Sequence, residues 1–313
     1  MIRVLLINFV QAALLVVIAP LVAGIIKKTK ARLQMRRGPS FFQPYLDLYK
    51  YGQKESVVSE HTSWIFKSAP YIYFAALLVA ALLVPVISSV GKLNFSGDII
   101  LFIYLLALGR FFLALAGLDA GSAFGGMASS REMAIAAVAE PAALLPLFTL
   151  AIATGTTNLT AIVFKNAMSG LVLLKPAYLL SFIALFIVTI AETGRIPVDN
   201  PDTHLELTMM HEGMLLEYSG KPLAVLTMGA DLKQLLLFTL IANLFFPWGI
   251  AIGFGVGQIV VGLVAYLLKV CAIGIIIACI ESLFAKMRLF KVPDLLLGSF
   301  FLGLLGLIAK FIF

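Results

Sequence analysis

The sequence predicts an all-α, polytopic membrane bundle, and three observations lead to this class. Hydrophobic residues make up 61% of the 313 residues and charged residues only 12%, whereas charged residues are about a quarter of a soluble domain. The mean hydropathy is +1.05. The apolar runs are continuous rather than alternating, which in a bilayer indicates helices and not barrel strands. We therefore expect a single transmembrane domain over residues 1–313.

Eight apolar runs approach or exceed the roughly 20 residues that a helix needs to cross a bilayer. They cover residues 4–26, 69–90, 98–118, 133–153, 176–192, 234–253, 256–280 and 294–312. In the first run the basic cluster follows the apolar stretch instead of preceding it, which favours an uncleaved anchor over a signal peptide. The sequence thus predicts about eight transmembrane helices.

The segments between these runs differ strongly in their content of Lys and Arg. The alternate loops 27–67, 119–132, 193–233 and 281–293 hold nine, one, three and three of these residues, and the segments on the other side hold five. Because basic residues are retained in cytoplasmic loops, these four loops are predicted to be cytoplasmic and both termini extracytoplasmic. The same asymmetry accounts for the net charge of +7 without a nucleic-acid partner.

Titratable residues concentrate between Glu192 and Tyr218. This stretch holds six of the sixteen carboxylates and two of the three histidines. Buried charges are costly unless they are paired or used, so such a concentration indicates a functional segment. A proton relay between the cytoplasmic surface and membrane acids fits it, and a solvated acidic loop is the alternative. The candidates in this loop are Asp199, Asp202, His204, Glu206, His211, Glu212 and Glu217.

The same loop gives a local structural prediction. Thr203 followed three residues later by Glu206 is typical of a capping box, which predicts that a helix restarts there. His204 and His211 are seven residues apart, which is not a metal-binding spacing, and the chain has no CxxC motif. We therefore expect no metal and no other cofactor in this chain.

Further acids lie within or at the ends of predicted helices. Glu132 and Glu140 are eight residues apart, hence nearly on one helix face and ~12 Å apart along its axis. Glu140 should lie inside the membrane, where acids are costly and usually functional; a protonated, hydrogen-bonded carboxyl is the alternative. Arg195 is close enough to Glu192 to pair with it across the Gly194 turn, and this pairing alone could explain both residues.

The seventh run contains a basic and an acidic residue that cannot contact each other. Lys269 and Glu281 are twelve residues apart, which is ~18 Å along a straight helix. Each therefore requires a partner from another helix, or water. Together with the loop acids, the membrane residues predicted to handle ions are Glu132, Glu140, Glu192, Lys269 and Glu281.

The first loop predicts a surface helix. Arg36 and Arg37 precede a Gly-Pro turn, and aromatic and aliphatic residues follow at near-helical spacing. Such a segment suits a helix in the headgroup plane or a docking surface for another protein. The residues predicted to dock a partner are Arg36, Arg37, Phe41, Phe42, Tyr45, Arg131, Arg195 and Arg288.

Four motifs resemble a known family of membrane subunits. They are RRGPSFFQPYLDLYK at 36–50, GLDAGSAFGGMASSREM at 117–133, AETGRIPVDNPDTHLELTMMHEGMLLEYSGK at 191–221 and ESLFAKMRLFKVP at 281–293. The chain is similar to respiratory NADH dehydrogenase subunit 1 and its counterpart in energy-converting membrane-bound [NiFe]-hydrogenases, including formate hydrogenlyase. The first and last motifs resemble the hydrogenase branch more than the quinone-reducing branch.

The resemblance implies an eight-helix subunit of the cytoplasmic membrane of a bacterium or archaeon. It implies docking of a [NiFe]-hydrogenase-like large subunit and a [4Fe-4S] small subunit on the cytoplasmic loops. Antiporter-like membrane subunits would join it within the bilayer. The NiFe centre and the clusters would belong to the partners, and the acidic loop with the membrane glutamates would form the entry to an ion path.

The predicted function is that of a membrane anchor and coupling subunit, which links electron transfer and H2 evolution to H+ or Na+ translocation. The same role in a quinone-reducing or sulfur-reducing complex is an alternative. A stand-alone ion transporter that uses the same acids is a second alternative. The large aromatic first loop argues against a lone carrier, which has little need of a docking surface.

Overall fold

The computed structural model describes residues 2–88, 97–170, 172–200, 209–251, 253 and 255–312. Within these ranges the chain forms ten α-helices, which confirms the all-α class. Their bounds are α1 Ile2–Leu33, α2 Gln43–Gln53, α3 Trp64–Leu83, α4 Asp98–Asp119, α5 Ala123–Thr154, α6 Leu159–Met168, α7 Pro176–Glu192, α8 Gly220–Phe245, α9 Val256–Leu283 and α10 Val292–Ile312.

Seven of these helices are long and apolar enough to cross a membrane: α1, α3, α4, α5, α8, α9 and α10. Helix α7 is also apolar but has 17 residues, which gives a length of about 26 Å. It packs against α5, α8 and α10. The predicted set of about eight membrane helices therefore corresponds to seven full spans and one shorter helix in the bundle interior.

Several helices extend further into the predicted loops than hydropathy indicated. Helix α5 begins at Ala123, where the Ser122 side chain accepts a hydrogen bond from the amide of Gly125. A Cβ atom on Gly125 would lie 2.5 Å from the carbonyl oxygen of Gly117, so the backbones of α4 and α5 come into direct contact where the hairpin closes. Most of the predicted loop 119–132 is thus helical, and Glu132 lies inside α5.

The helices differ in how much of their surface the bundle covers. Helix α8 is the most enclosed of the seven long apolar helices. In its apolar segment 67% of the residues are buried, against 33% for α9 and 28% for α10. Helix α8 contacts α1, α2, α3, α7 and α9. The buried polar side chains of α8 therefore face other helices, where they need partners within the protein; they are Lys233, Gln234, Thr239 and Asn243.

Candidate functional site

Arg110 is the centre of a buried ion-pair cluster. Its guanidinium donates from Nη2 to both carboxylate oxygens of Glu192, at 2.7 and 2.8 Å, and from Nη1 to Oε1 of Glu140 at 3.2 Å. Its Nε atom lies 3.6 Å from Oε1 of Glu132. Arg110 is 5% exposed. One arginine on α4 thus gathers carboxylates from α5 and α7 in the bundle interior.

Two further side chains complete this cluster. Lys233 of α8 lies with its Nζ atom 2.7 Å from Oε2 of Glu192. His211 lies with Nε2 3.4 Å from Oε2 of Glu132. The imidazole sits over Gly194, where an added Cβ would be 2.9 Å from Nδ1, and Gly194 has a φ of +59°. Glycine at this turn therefore makes room for His211. We call the six residues Arg110, Glu132, Glu140, Glu192, His211 and Lys233 the Arg110 cluster.

The charges of the Arg110 cluster do not balance. It contains three carboxylates and two basic groups, Arg110 and Lys233. When these five groups are ionised, the cluster carries one negative charge, and the neighbouring group of Lys30, Arg195 and Glu281 carries one positive charge. Burying an uncompensated charge is expensive. The two neighbouring groups therefore offset each other in charge.

A second group of charges surrounds Glu281 at the end of α9. Its carboxylate lies 3.3 Å from Nζ of Lys30 and 3.3 Å from Nη1 of Arg195. The Nη2 atom of Arg195 donates to Oε1 of Gln234 at 2.7 Å. We call Lys30, Arg195, Gln234 and Glu281 the Glu281 cluster. Glu281 is 3% exposed, so its charge is stabilised by these neighbours rather than by bulk water.

The expected pairing of Glu192 with Arg195 is wrong. Glu192 pairs with Arg110 and Lys233, whereas Arg195 pairs with Glu281. The amide of Arg195 bonds to the carbonyl of Ile190 at 3.0 Å. The Gly194 turn therefore points the two side chains to different helices. The predicted need of Glu281 for a partner from another helix is confirmed.

One cavity of about 630 Å³ joins the two clusters. The ends of α1, α7 and α9 and the start of α8 meet there, and we call it the loop-face cavity. Its walls include the first-loop residues Arg36, Gly38 and Pro39. Helix α8 bridges the clusters, because the adjacent residues Lys233 and Gln234 bond to one cluster each. The other ionisable residues of its lining are Lys27, Asp199, Glu212 and Asp231.

The loop before α8 is fixed to the bundle by side chains. Asp199 pairs through Oδ1 with Lys286 at 2.7 Å and accepts through Oδ2 from the amide of Met210 at 3.1 Å. Tyr218 stacks on Phe66 with ring centroids 4.0 Å apart and donates to its carbonyl. Burial raises the pKa of Tyr218 above its ordinary value, so the phenol remains a donor. These contacts hold His211 at the cavity wall.

Tyr73 of α3 fixes the spacing of the helices around Arg110. Its ring also lines the loop-face cavity. Cβ atoms added at Gly109 of α4 and Gly229 of α8 would lie 2.8 and 2.5 Å from that ring. Glycine is therefore required on both neighbours, since real Cβ contacts are longer. The ring contacts α4 one residue before Arg110, which sets the position of the guanidinium.

Most predicted ion-handling residues converge on the loop-face cavity or the Arg110 cluster, and some do not. Glu217 is exposed and does not line the cavity. Lys269 donates to Oδ1 of Asn243 at 3.2 Å and to the carbonyl of Phe246 at 2.8 Å, apart from both clusters. Three predicted relay residues lie outside the described part of the chain: Asp202, His204 and Glu206.

The residues predicted to dock a partner fall into two groups. Arg36, Arg37, Phe41, Phe42 and Arg288 are exposed. The others are engaged within the chain: the hydroxyl of Tyr45 donates to the carbonyl of Val17, Arg131 bonds to the carbonyl of Met209, and Arg195 is buried in the Glu281 cluster. Arg195 is therefore an internal ion-pair residue and not a surface residue.

Three functional candidates were missed by sequence reasoning: Arg110, Lys30 and Lys233. Arg110 lies in the middle of an apolar run, where an arginine requires carboxylate partners. That signal was present in the sequence, although it does not say which acids the arginine meets. Lys30 and Lys233 lie within the predicted loops 27–67 and 193–233, and their clustering depends on the tertiary packing of α1 and α8.

The fold and the two clusters define a class of protein, a polytopic membrane bundle with buried ion pairs that open to one face. A family model described as NADH dehydrogenase matches residues 5–311. The chain belongs to this family, which confirms the resemblance that the four motifs carry.

Two relatives share about a third of their sequence with this chain. Formate hydrogenlyase subunit 4 of Escherichia coli strain K12 is 34% identical, over 96% of this chain and 97% of that protein. Hydrogenase-4 component C of the same strain is 36% identical, over 89% and 87%. A more distant relative, an NADH-quinone oxidoreductase subunit of Chelativorans sp. strain BNC1, is 28% identical, over 91% and 87%. The names describe subunits and components of larger assemblies, which implies partner subunits.

A solved structure shares the fold. It is the structure of the membrane-bound sulfane sulfur reductase, an archaeal respiratory membrane complex, one chain of which matches with a TM-score of 0.83. The alignment covers 97% of this chain and 99% of that chain at 22% identity. This likeness is one of fold.

Proposed function

We propose that this chain is the membrane anchor and coupling subunit of a multisubunit hydrogenase-type redox complex. It docks a peripheral arm, with a [NiFe]-hydrogenase-like large subunit and a [4Fe-4S] small subunit, on the face that carries the first loop. It links electron transfer and H2 evolution in that arm to H+ or Na+ translocation. The two relatives at 34% and 36% identity, both named for hydrogenase assemblies, support this choice.

The observation that carries the proposal is the group of three carboxylates in the Arg110 cluster beside an open cavity. Three carboxylates here share Arg110 and Lys233 as their basic partners. These acids are close enough to one another to compete for one exchangeable proton or cation, and the loop-face cavity gives it access to the cluster.

A route for this cation follows from the contacts. His211 touches Glu132 at the cavity wall, so the imidazole can deliver a proton to the carboxylate. Arg110 faces Glu132 and Glu140 at the same time. When one of these carboxylates gains a proton or a cation, its attraction to the guanidinium weakens and the attraction of the other carboxylate strengthens. Glu140 is the outermost member, with 31% of its side chain exposed. It is the point of exit toward an antiporter-like membrane subunit.

The coupling to the redox arm runs through the loop that carries His211. This loop is attached to the loop after α9 by the Asp199–Lys286 pair and to α3 by Tyr218. A partner that docks on the neighbouring exposed residues Arg36, Arg37 and Phe42 can shift this loop and change the distance from His211 to Glu132. The redox centres, NiFe and [4Fe-4S], belong to the partner subunits in this proposal.

Purification from native membranes in mild detergent, through a tag on this chain, tests the anchor role. We expect [NiFe]-hydrogenase-like and ferredoxin-like subunits to accompany the chain, with nickel and iron in the preparation. Iron without nickel would assign the complex to the quinone-reducing or sulfur-reducing alternative. A metal-free chain that transports ions alone in vesicles would contradict the proposal and establish the transporter.

A further inference from the structure

A second cavity lies at the opposite end of the bundle from the loop-face cavity. It has a volume of about 570 Å³ and is formed by the end of α5, by α6, by the start of α7 and by the end of α10. We call it the terminal-face cavity. Its volume is in the range of sites that bind small molecules, about 300–1,000 Å³.

Three lysines line this cavity: Lys165, Lys175 and Lys310. No carboxylate is among its lining residues, and no carboxylate pairs with any of the three in the described part of the chain. Only five basic residues occur on the side of the membrane that is predicted to be extracytoplasmic, and three of them converge here. Concentrated positive charge without a carboxylate partner among the described residues indicates a site for an anion.

The rest of the wall suits the boundary between headgroups and acyl chains. Phe164, Met168 and Ala309 contribute apolar surface, and Phe164 and Met168 are exposed to the surroundings of the bundle. Tyr178 and Asn166 form the polar floor, where the Tyr178 hydroxyl donates to Oδ1 of Asn166 at 2.9 Å. A soluble anion would leave the apolar rim uncovered, whereas a lipid would cover it with its chains.

We propose that the terminal-face cavity binds the phosphate-bearing headgroup of an anionic phospholipid. The ammonium groups of the three lysines hold the phosphate, and the acyl chains run along the exposed apolar residues at the rim. Lys165 also donates to the carbonyl of Thr154 at 2.6 Å, in the last turn of α5. This contact connects lipid binding to the end of the helix that carries Glu132 and Glu140.

The test uses Lys175 and Lys310, because replacing Lys165 would also remove its bond to Thr154. The full chain, with any subunits that accompany it, is placed in nanodiscs of phosphatidylcholine with a minor fraction of phosphatidylglycerol. Native mass spectrometry after detergent extraction then counts the retained lipids. We expect one phosphatidylglycerol per wild-type chain. Retention should fall about twenty-five-fold in Lys175→Gln/Lys310→Gln, since each lysine near an anionic headgroup contributes roughly a factor of five.

Two control variants make this result specific. Lys175→Arg/Lys310→Arg keeps the charges and should keep the lipid. Lys50→Gln/Lys54→Gln removes the same charge from the exposed end of α2 and should also keep it. Equal retention in the lysine-to-glutamine variant and the wild type would overturn the proposal. Retention of phosphatidylcholine by the wild type to the same extent as phosphatidylglycerol would also overturn it. Release of the lipid by millimolar inorganic phosphate would overturn it as well and would indicate a site for the free anion.

Discussion

The Arg110 cluster and the Glu281 cluster border the same cavity and are assembled in opposite ways. In the first, one guanidinium faces three carboxylates. In the second, one carboxylate lies between a lysine and an arginine. This difference in charge predicts which substitutions each cluster tolerates. Loss of a positive charge should be most harmful in the first cluster, and loss of a negative charge in the second.

The largest effect is expected from Arg110→Gln. This change leaves three carboxylates, two of them buried and Glu140 partly exposed, with Lys233 and His211 as their remaining basic neighbours, and breaking a buried ion pair costs about 3–5 kcal/mol. Thermal unfolding in mild detergent should show a strongly lowered midpoint. Arg131→Gln is the matched control, because Arg131 makes one bond to a carbonyl and should be nearly neutral. Equal midpoints for the two variants would show that Arg110 does not hold the cluster together.

Glu281→Gln should have the next largest effect. The amide keeps the shape of the carboxylate but leaves Lys30 and Arg195 without its charge. We expect the free energy of unfolding to fall by about 2–3 kcal/mol, because hydrogen bonds to charged groups contribute more than neutral ones. Thermal unfolding in mild detergent measures this change. Glu217→Gln, at an exposed position, serves as the control. A Glu281 variant as stable as the Glu217 variant would remove the distinction between the clusters.

A smaller effect is expected from Gly229→Ala, which tests the packing that positions Arg110. The new Cβ would lie 2.5 Å from the Tyr73 ring, and overpacking of this kind costs about 1–2 kcal/mol. Gly298→Ala in α10 is the matched control, because nothing lies within 4 Å of its Cβ position. The same unfolding assay compares the two, and a Gly229 variant no less stable than the control would contradict the tight packing.

The all-α membrane class and the place of Glu140 inside a long apolar helix could be predicted because they depend on local hydropathy. The start of α8 could not, because Lys221, Asp231 and Lys233 lower the hydropathy of a segment that is helical from Gly220. Two of these residues, Asp231 and Lys233, line the loop-face cavity instead of facing lipid. Hydropathy averaged along the sequence does not distinguish a polar residue that faces a cavity from a polar residue in a loop.

The partners of the charged residues were harder to predict than the helices. Glu192 and Arg195 are neighbours in sequence, yet the turn at Gly194 directs them to different clusters. Lys269 and Glu281 were expected to need partners from other helices, or water, because the helical rise separates them, and both have partners on other helices. The helical rise correctly excluded a contact between Lys269 and Glu281, whereas closeness in sequence wrongly suggested a contact between Glu192 and Arg195.

The most direct test of the account is ion transport by the Glu140→Gln variant. Neutralising this acid removes the excess negative charge of the Arg110 cluster, so we expect stability close to that of the wild type. Ion uptake into vesicles that carry the complex should fall strongly, while H2 evolution by the solubilised complex continues. Glu217→Gln should retain both activities. Unchanged ion uptake in the Glu140 variant would contradict the assignment of the Arg110 cluster to ion translocation.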